Sequence, residues 1–432
     1  MKTNHASNQV PSECRPTAPY ETRRRNPQTK LPALLAATVG VLTALHPEYA
    51  QSWTPTPAPN LSWTALASSA DGNKLVAVAN DFPSGAVYLS TDSGATWNPA
   101  NAPSGAWSCV ASSADGTKLV IAGYDSPAGP VYLSTNSGGS WFPAGISSHG
   151  WKGVASAADG RKLILVADDY PAGPVFVSMD SGVNWTPAGT SGHSWAAVAS
   201  SADGTRLLAP ANEYPTGPVF NSYNTGATWT QAGVPAASWI AAAMSQDGRT
   251  MIIAGNNPPI GPVYISSDSG TNWMHAGASA ENYAAVACSA DGTTLVVASA
   301  YINGVSGNIY ISTNSGVTWN YSGAPLSAWS SLAISADGKK VVAAVGGGGI
   351  YVRAEPAPAS PVAIAGFAHL ASGEFQVHFS GAIGGNYTVL TSEDLNSWLE
   401  AAPATEISPG QFEFTDDKAP NFPNRFYQLR SP

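Results

Sequence analysis

Five carboxylates and several aromatic rings recur at one kind of place in this 432-residue chain. The segments are NDFPSG (80–85), YDSPAG (124–129), DDYPAG (168–173), NEYPTG (212–217), NNPPIG (256–261) and the longer AYINGVSG (300–307). An acid next to a ring, followed by proline, appears as Asp81-Phe82, Asp169-Tyr170 and Glu213-Tyr214. Asp125, Glu281, Tyr283 and Tyr301 complete the candidate ligand set. Rings cover the apolar faces of sugars, and carboxylates hold hydroxyls, a cation or a basic protein segment. Two such carboxylates about 5–10 Å apart would also suit glycoside hydrolysis. The competing reading is that proline and ring only stiffen repeated loops. His149 and His193 stand 44 residues apart in equivalent segments, where they either share a ligand or are solvated loop histidines. No Ser/His/Asp order and no metal-spaced histidines stand out, so no catalytic residue, metal or cofactor is assigned.

These loops belong to a repeat. The pattern W-x-x-V-A-x-S-x-D-G begins at Trp63, Trp107, Trp151, Trp195, Trp239, Tyr283 and Trp329, five times at a spacing of 44 and once at 46. A second pattern, S-x-D/N-x-G-x-x-W, interleaves with it six times, from Ser90–Trp97 to Ser312–Trp319. A period of about 40–50 residues with no helical signal means propeller blades of four strands, A to D. In blade one these are expected near 63–68, 75–79, 86–90 and at Trp97. Seven first patterns against six second patterns leave blade seven short of strand D. Trp53 precedes Trp63 by ten residues, as Trp97 precedes Trp107, so 52–56 is expected to supply that strand and close the ring. Closure also covers two sheet edges.

The second pattern resembles the Asp-box, or BNR repeat, of sialidases, sortilin-type receptors, xyloglucan-cleaving hydrolases and photosystem assembly factors. The resemblance spans about 300 residues and implies a seven-bladed all-β propeller. It implies little about activity, because the box marks architecture across unrelated functions. The residues agree: Asp92, Asp180 and Asp268 alternate with Asn136, Asn224 and Asn314. Asparagine keeps the hydrogen-bond acceptor and loses the charge, which suits a turn clip and not a base or metal ligand. A sialidase-like site would need an arginine triad. Arg161, Arg206 and Arg249 share one turn offset on the opposite side, so the triad is missing.

Strand alternation divides the charges. The A–B turns and the boxes share one face, with ten acids and eight bases. The bases after each Asp-Gly turn, such as Lys74, Lys118 and Arg206, read as a solvated rim. The B–C and D–A loops share the other face, where Asp81, Asp125, Asp168, Asp169, Glu213 and Glu281 face only Lys152.

Outside the repeat, Arg23, Arg24, Arg25 and Lys30 precede an apolar run from Leu31 to Leu45, the layout of a secretory signal. Residues 1–50 are therefore expected to be a leader, 51–353 the propeller, 354–362 a Pro/Ala linker and 363–432 a small β-sandwich-like module. That module resembles C-terminal modules of secreted Verrucomicrobia-type proteins. Cys109 and Cys288 read as small buried hydrophobes and not as a disulfide. A net charge of −9 and only 11% charged residues exclude a coiled coil and give no footprint for nucleic acid. The expectation is a secreted, periplasmic or cell-surface monomer with no membrane span in its mature form. It would be a non-catalytic propeller binding a glycan, cation or protein on the acidic face. The alternatives are a carbohydrate-active hydrolase using Asp125, Asp169, Glu213 and Glu281, and an assembly factor for an exported complex.

Overall fold

The computed structural model describes residues 52–81, 85–124, 129–169, 172–189, 192–213, 216–256, 261–278, 282–301, 306–354, 363–381, 387–422 and 424–430. The expected leader lies outside them, as do residues 355–362 of the expected linker, while Ala354 ends the last propeller strand. No helix among the described residues is long and apolar enough to cross a membrane.

Seven four-stranded antiparallel blades form a ring. In blade three, strand A is Trp151–Ser156, B is Leu163–Ala167, C is Val175–Ser178 and D is Thr186–Pro187. Strand B is a continuous apolar run buried on both sides, because each blade is sandwiched between two others. Strand D shrinks to two exposed residues at the rim. In blade four, strand A is reduced to Ala199–Ser200, with Trp195 and Ala211 joined by an isolated bridge.

Closure occurs as the repeat count requires. Trp53–Pro55 pairs with Ile350–Ala354 of blade seven, in the register Trp53 to Arg353 and Pro55 to Tyr351. The seam has a second connection. Strand B of blade seven, Lys340–Gly348, runs past its own blade and pairs Gly348 with Leu61 and Gly346 with Ser62 of blade one.

The first pattern builds the contacts between blades. Trp107, Trp151, Trp195, Trp239 and Tyr283 are at most 1% exposed, and each packs against the preceding blade. Trp151 Nε1 donates to the Gly129 carbonyl of blade two, and Trp195 Nε1 to Gly173 of blade three. At the A–B turns, seven backbone hydrogen bonds of 2.7–2.9 Å form a closed circle. They run from Ala70 to Ala114, Ala158, Ala202, Gln246, Ala290 and Ala336, whose N–H returns to the Ala70 carbonyl. Arg161, Arg249 and Lys339 beside these turns are exposed, as a solvated rim would be, but other bases there reach the next blade. Lys74 Nζ reaches the Asp115 carbonyl and Ser137 Oγ of the next blade, and Lys118 reaches Asp159 and Ser181 in the same way. Lys340 crosses the seam to Asn73 and Ser93 of blade one.

Each turn aspartate is held by its own loop. Hydrogen bonds from Ser113 and Thr117 hold the Asp115 carboxyl at about 2, and Ser201 and Thr205 do the same for Asp203. A folded value below the ordinary 3.8 means that these bonds stabilise fully above that pH and are lost as pH falls toward 2. Acid titration followed by tryptophan fluorescence is expected to show stability falling through that window. The double variant Asp115→Asn, Asp203→Asn should be less stable at neutral pH and should lose less on acidification.

The interleaved six turns behave as clips. In blade three, Ser178 Oγ donates to Asp180 Oδ1 at 2.9 Å and accepts the Gly182 N–H at 2.8 Å. Asp180 Oδ1 then accepts the Asn184 N–H at 2.8 Å. Asn136 makes the same bonds with Ser134 and the Ser140 N–H, so neutral and charged versions close the same turn. The residue before each glycine is also left-handed, from Ser315 at φ 55° to Ser269 at 64°, which the sequence does not announce.

The C-terminal module has two sheets. One orders Ala363–His369, Phe375–Ser380, Gln411–Asp416 and Thr405–Ser408; the other orders Leu399–Pro403, Thr388–Ser392 and Phe426–Arg430. Val377, Phe379, Tyr387 and Phe412 form its core. Ser392-Glu393-Asp394 repeats the clip in shortened form, with Ser392 Oγ accepting the Leu395 N–H and Asp394 Oδ1 accepting that of Ser397. Cys109 and Cys288 are free thiols, and burial pushes both up to about 12, as expected of inert residues.

Candidate functional site

The B–C and D–A loops meet above the buried tryptophans, and backbone contacts fix them first. The last glycine of a B–C loop bridges to the residue two before the next tryptophan: Gly129 to His149 and Gly173 to His193. The N–H of the loop's first residue returns to the D–A loop of its own blade, as from Asp168 to the Gly150 carbonyl at 2.8 Å. The side chains of the described loop residues are presented from this backbone rim.

The described candidate acids, Asp81, Asp169 and Glu213, are committed to this rim. Both Asp81 oxygens accept the Ser62 N–H, at 3.1 and 3.2 Å. Asp169 Oδ1 accepts the Gly150 N–H at 2.8 Å. These bonds join residues 19 apart and tie the B–C loop to the preceding D–A loop, the one that leads into its own blade. Burying a main-chain N–H at a loop crossing requires such a partner, and an acid supplies it.

Blades three and four add histidines to this arrangement. His149 Nδ1 lies 2.5 Å from Asp169 Oδ2, and His193 Nδ1 lies 2.6 Å from Glu213 Oε1. Each carboxylate follows its histidine by 20 residues. The imidazoles pack edge-on to Trp151 and Trp195 and lie near Phe176 and Phe220. The two histidines face separate carboxylates, and among the described residues no group of three His, Cys, Asp or Glu side chains could hold a metal. They are not free loop histidines either, because each is paired.

Between them runs a polar seam. Asp168 Oδ1 accepts the hydroxyl of Ser194, and Asn212 Oδ1 accepts that of Ser238 at 2.8 Å. Lys152 Nζ sits 4.6 Å from the centre of the Tyr124 ring and 4.0 Å from Asp168 Oδ2. Tyr124 is 43% exposed, and neither it nor Asp168 is among the ligand contacts expected from sequence. The signal was present: both are the first residue of a B–C loop, one position before the acids that were chosen.

The other candidates divide. Tyr301 is 54% exposed and belongs to the surface. Tyr283 does not: at 1% exposed it fills the tryptophan site between blades five and six, so it is a core residue and no ligand contact. Phe82, Asp125, Tyr170, Tyr214 and Glu281 lie outside the described residues. Of the four carboxylates named for a hydrolase, Asp169 and Glu213 are described, and each is held by a histidine.

No protein-family model matches the sequence, and no curated relative matches it. Solved structures do. One is YCF48 bound to a D1 peptide, with TM-score 0.52 and 16% identity, covering 71% of this chain and 97% of that one. Another is the hydrazine synthase of Kuenenia stuttgartiensis, with TM-score 0.52 and 15% identity, covering 73% of this chain and 99% of that one. At these identities the likeness is one of fold, and the fold that this chain shares with them is the β-propeller.

Proposed function

We propose that the chain is a binding propeller that captures a basic segment of a partner protein on the B–C/D–A face of blades two to five. The observation that carries this reading is Lys152, seated over the Tyr124 ring and beside the Asp168 carboxylate. It displays within the molecule the contact that a ligand lysine or arginine would make, a cation held between a ring and an acid. Partly exposed Asp168, Asp169 and Glu213 give the surrounding face its sign, against Lys152 alone. The fold allows such a role, since a propeller of similar architecture is described bound to a peptide.

Two further assignments belong to this reading. The six clipped turns are those of the Asp-box group: every serine hydroxyl binds the glycine N–H, and every Asp or Asn binds the N–H four residues on. The basic residues 23–30 and the apolar run 31–45 support a place outside the cytoplasm for this reading, where the face would meet its partner. The binding test is an array of peptides graded in charge. Basic peptides are expected to bind, with affinity falling as salt rises. The variant Asp168→Asn, Glu213→Gln should bind about tenfold more weakly at low salt, and Asp417→Asn in the C-terminal module should not change. Equal binding of acidic and basic peptides would overturn the reading.

A further inference from the structure

The His149–Asp169 pair has a third member. Ser147 Oγ lies 3.0 Å from His149 Nε2, while Nδ1 on the far side of the ring lies 2.5 Å from Asp169 Oδ2. We propose that Ser147, His149 and Asp169 form a serine esterase site on the rim of blade three, acting on esters with a small acyl group. The inference is independent of what the face binds.

The parts are placed as nucleophilic catalysis needs them. Asp169 Oδ1 is fixed by the Gly150 N–H, which leaves Oδ2 to accept the Nδ1 proton. That tautomer makes Nε2 the acceptor for the serine hydroxyl. Trp151 and Phe176 hold the imidazole plane, with ring centres 5.1 and 5.8 Å away. Ser147 is exposed, so an ester can reach it. The Ser147 and Ser148 N–H groups have no backbone acceptor among the described residues, and the N–H after a nucleophile is a usual donor to an oxyanion. The fold does not require the histidine. At the same position blade one has Leu61, blade two Gly105 and blade five Ala237, and Asp81 of blade one clips its loop with no imidazole. The sequence repeats Ser-x-His at Ser191 and His193, but Ser191 lies outside the described residues, so the proposal concerns blade three.

In the reaction, Ser147 Oγ attacks the ester carbonyl carbon and passes its proton to His149 Nε2. The carbonyl–alkoxy bond breaks, and the alcohol leaves with that proton. Water, deprotonated by Nε2, then attacks the acyl-serine. The acid departs and Ser147 Oγ recovers the proton. Esters fit better than amides because an alkoxide needs less help to leave, and small acyl groups, which need no pocket to hold them, suit an exposed serine.

The test is covalent labelling of the full chain with a fluorophosphonate, with the adduct mapped by peptide mass, and hydrolysis of p-nitrophenyl acetate. Wild type should label at Ser147 and turn over the ester. Ser147→Ala should lose the adduct, while Ser148→Ala should keep it. His149→Ala should slow both readouts by about a hundredfold or more. Asp169 is a positioning residue. Asp169→Asn still accepts the Gly150 N–H but imposes the wrong tautomer, so it should lower kcat and displace the pH dependence, whereas a purely structural loss would leave that dependence in place. Retained melting temperature in each variant separates chemistry from unfolding. Labelling that is absent, that is equal at Ser148, or that proceeds at the wild-type rate in His149→Ala overturns the proposal.

Discussion

Removing residues 52–60 opens the ring. Trp53 would leave a site where it is only 8% exposed, packed at 6.0 Å from Trp329 and bonded through Nε1 to Ser322 Oγ at 3.1 Å. The edge of Ile350–Ala354 would lose its pairing to Trp53–Pro55. An unpaired strand edge is a template for association. The truncated chain is therefore expected to unfold at much lower temperature or to run as oligomers. Light scattering with a thermal melt checks this. The milder Trp53→Ala should cost about 3–5 kcal/mol while leaving the backbone pairing in place. A monomeric truncation with unchanged melting temperature would show that the remaining seam contacts, the pairing of Leu61 and Ser62 with Gly348 and Gly346 and the bonds from Ala336 and Lys340 to blade one, close the ring without it.

Gly173→Ala is expected to be the most damaging single methyl. A Cβ at Gly173 would stand 1.8 Å from the Ala167 carbonyl oxygen, a backbone atom that cannot swing aside. Gly173 also donates its N–H to the His193 carbonyl at 2.9 Å and accepts the Trp195 indole at 3.0 Å. The loop must move, and the histidine–carboxylate pair of blade four moves with it. A loss of about 3 kcal/mol, at the upper end of overpacking costs, is expected in a denaturant titration. Gly129→Ala, where the Cβ would stand 2.0 Å from the Gly123 oxygen, should do the same to His149. By contrast Gly233→Ala meets no neighbour within 4 Å and should be nearly silent.

The repeat made the architecture legible. A constant 44-residue spacing and a missing fourth strand are enough to count blades and to find the closing strand, because each blade needs the same local contacts. The site was legible only in part. Asp169 and Glu213 stand out by type, but their partners lie 20 residues away across a loop crossing, and no local pattern encodes that pairing. The same holds for Lys74 and Lys118. Their contacts, 41 and 63 residues distant, depend on the rotation between blades. Tyr283 misled for the opposite reason: a break in the repeat drew attention, but tyrosine simply fills the tryptophan's place in the core. Ser147 carries no sequence signal: serine and histidine stand two residues apart in a serine-rich loop, and only the loop crossing brings the acid 20 residues on to the histidine.

The central claim is that the acidic face holds cations, and Lys152 offers the most direct measurement. If it occupies the place of a ligand cation between Tyr124 and Asp168, removing it should vacate that place. Titration calorimetry of a basic peptide against Lys152→Ala is predicted to show tighter binding than wild type, with the gain cancelled by adding Asp168→Asn. Binding that is unchanged or weaker in Lys152→Ala would contradict the account.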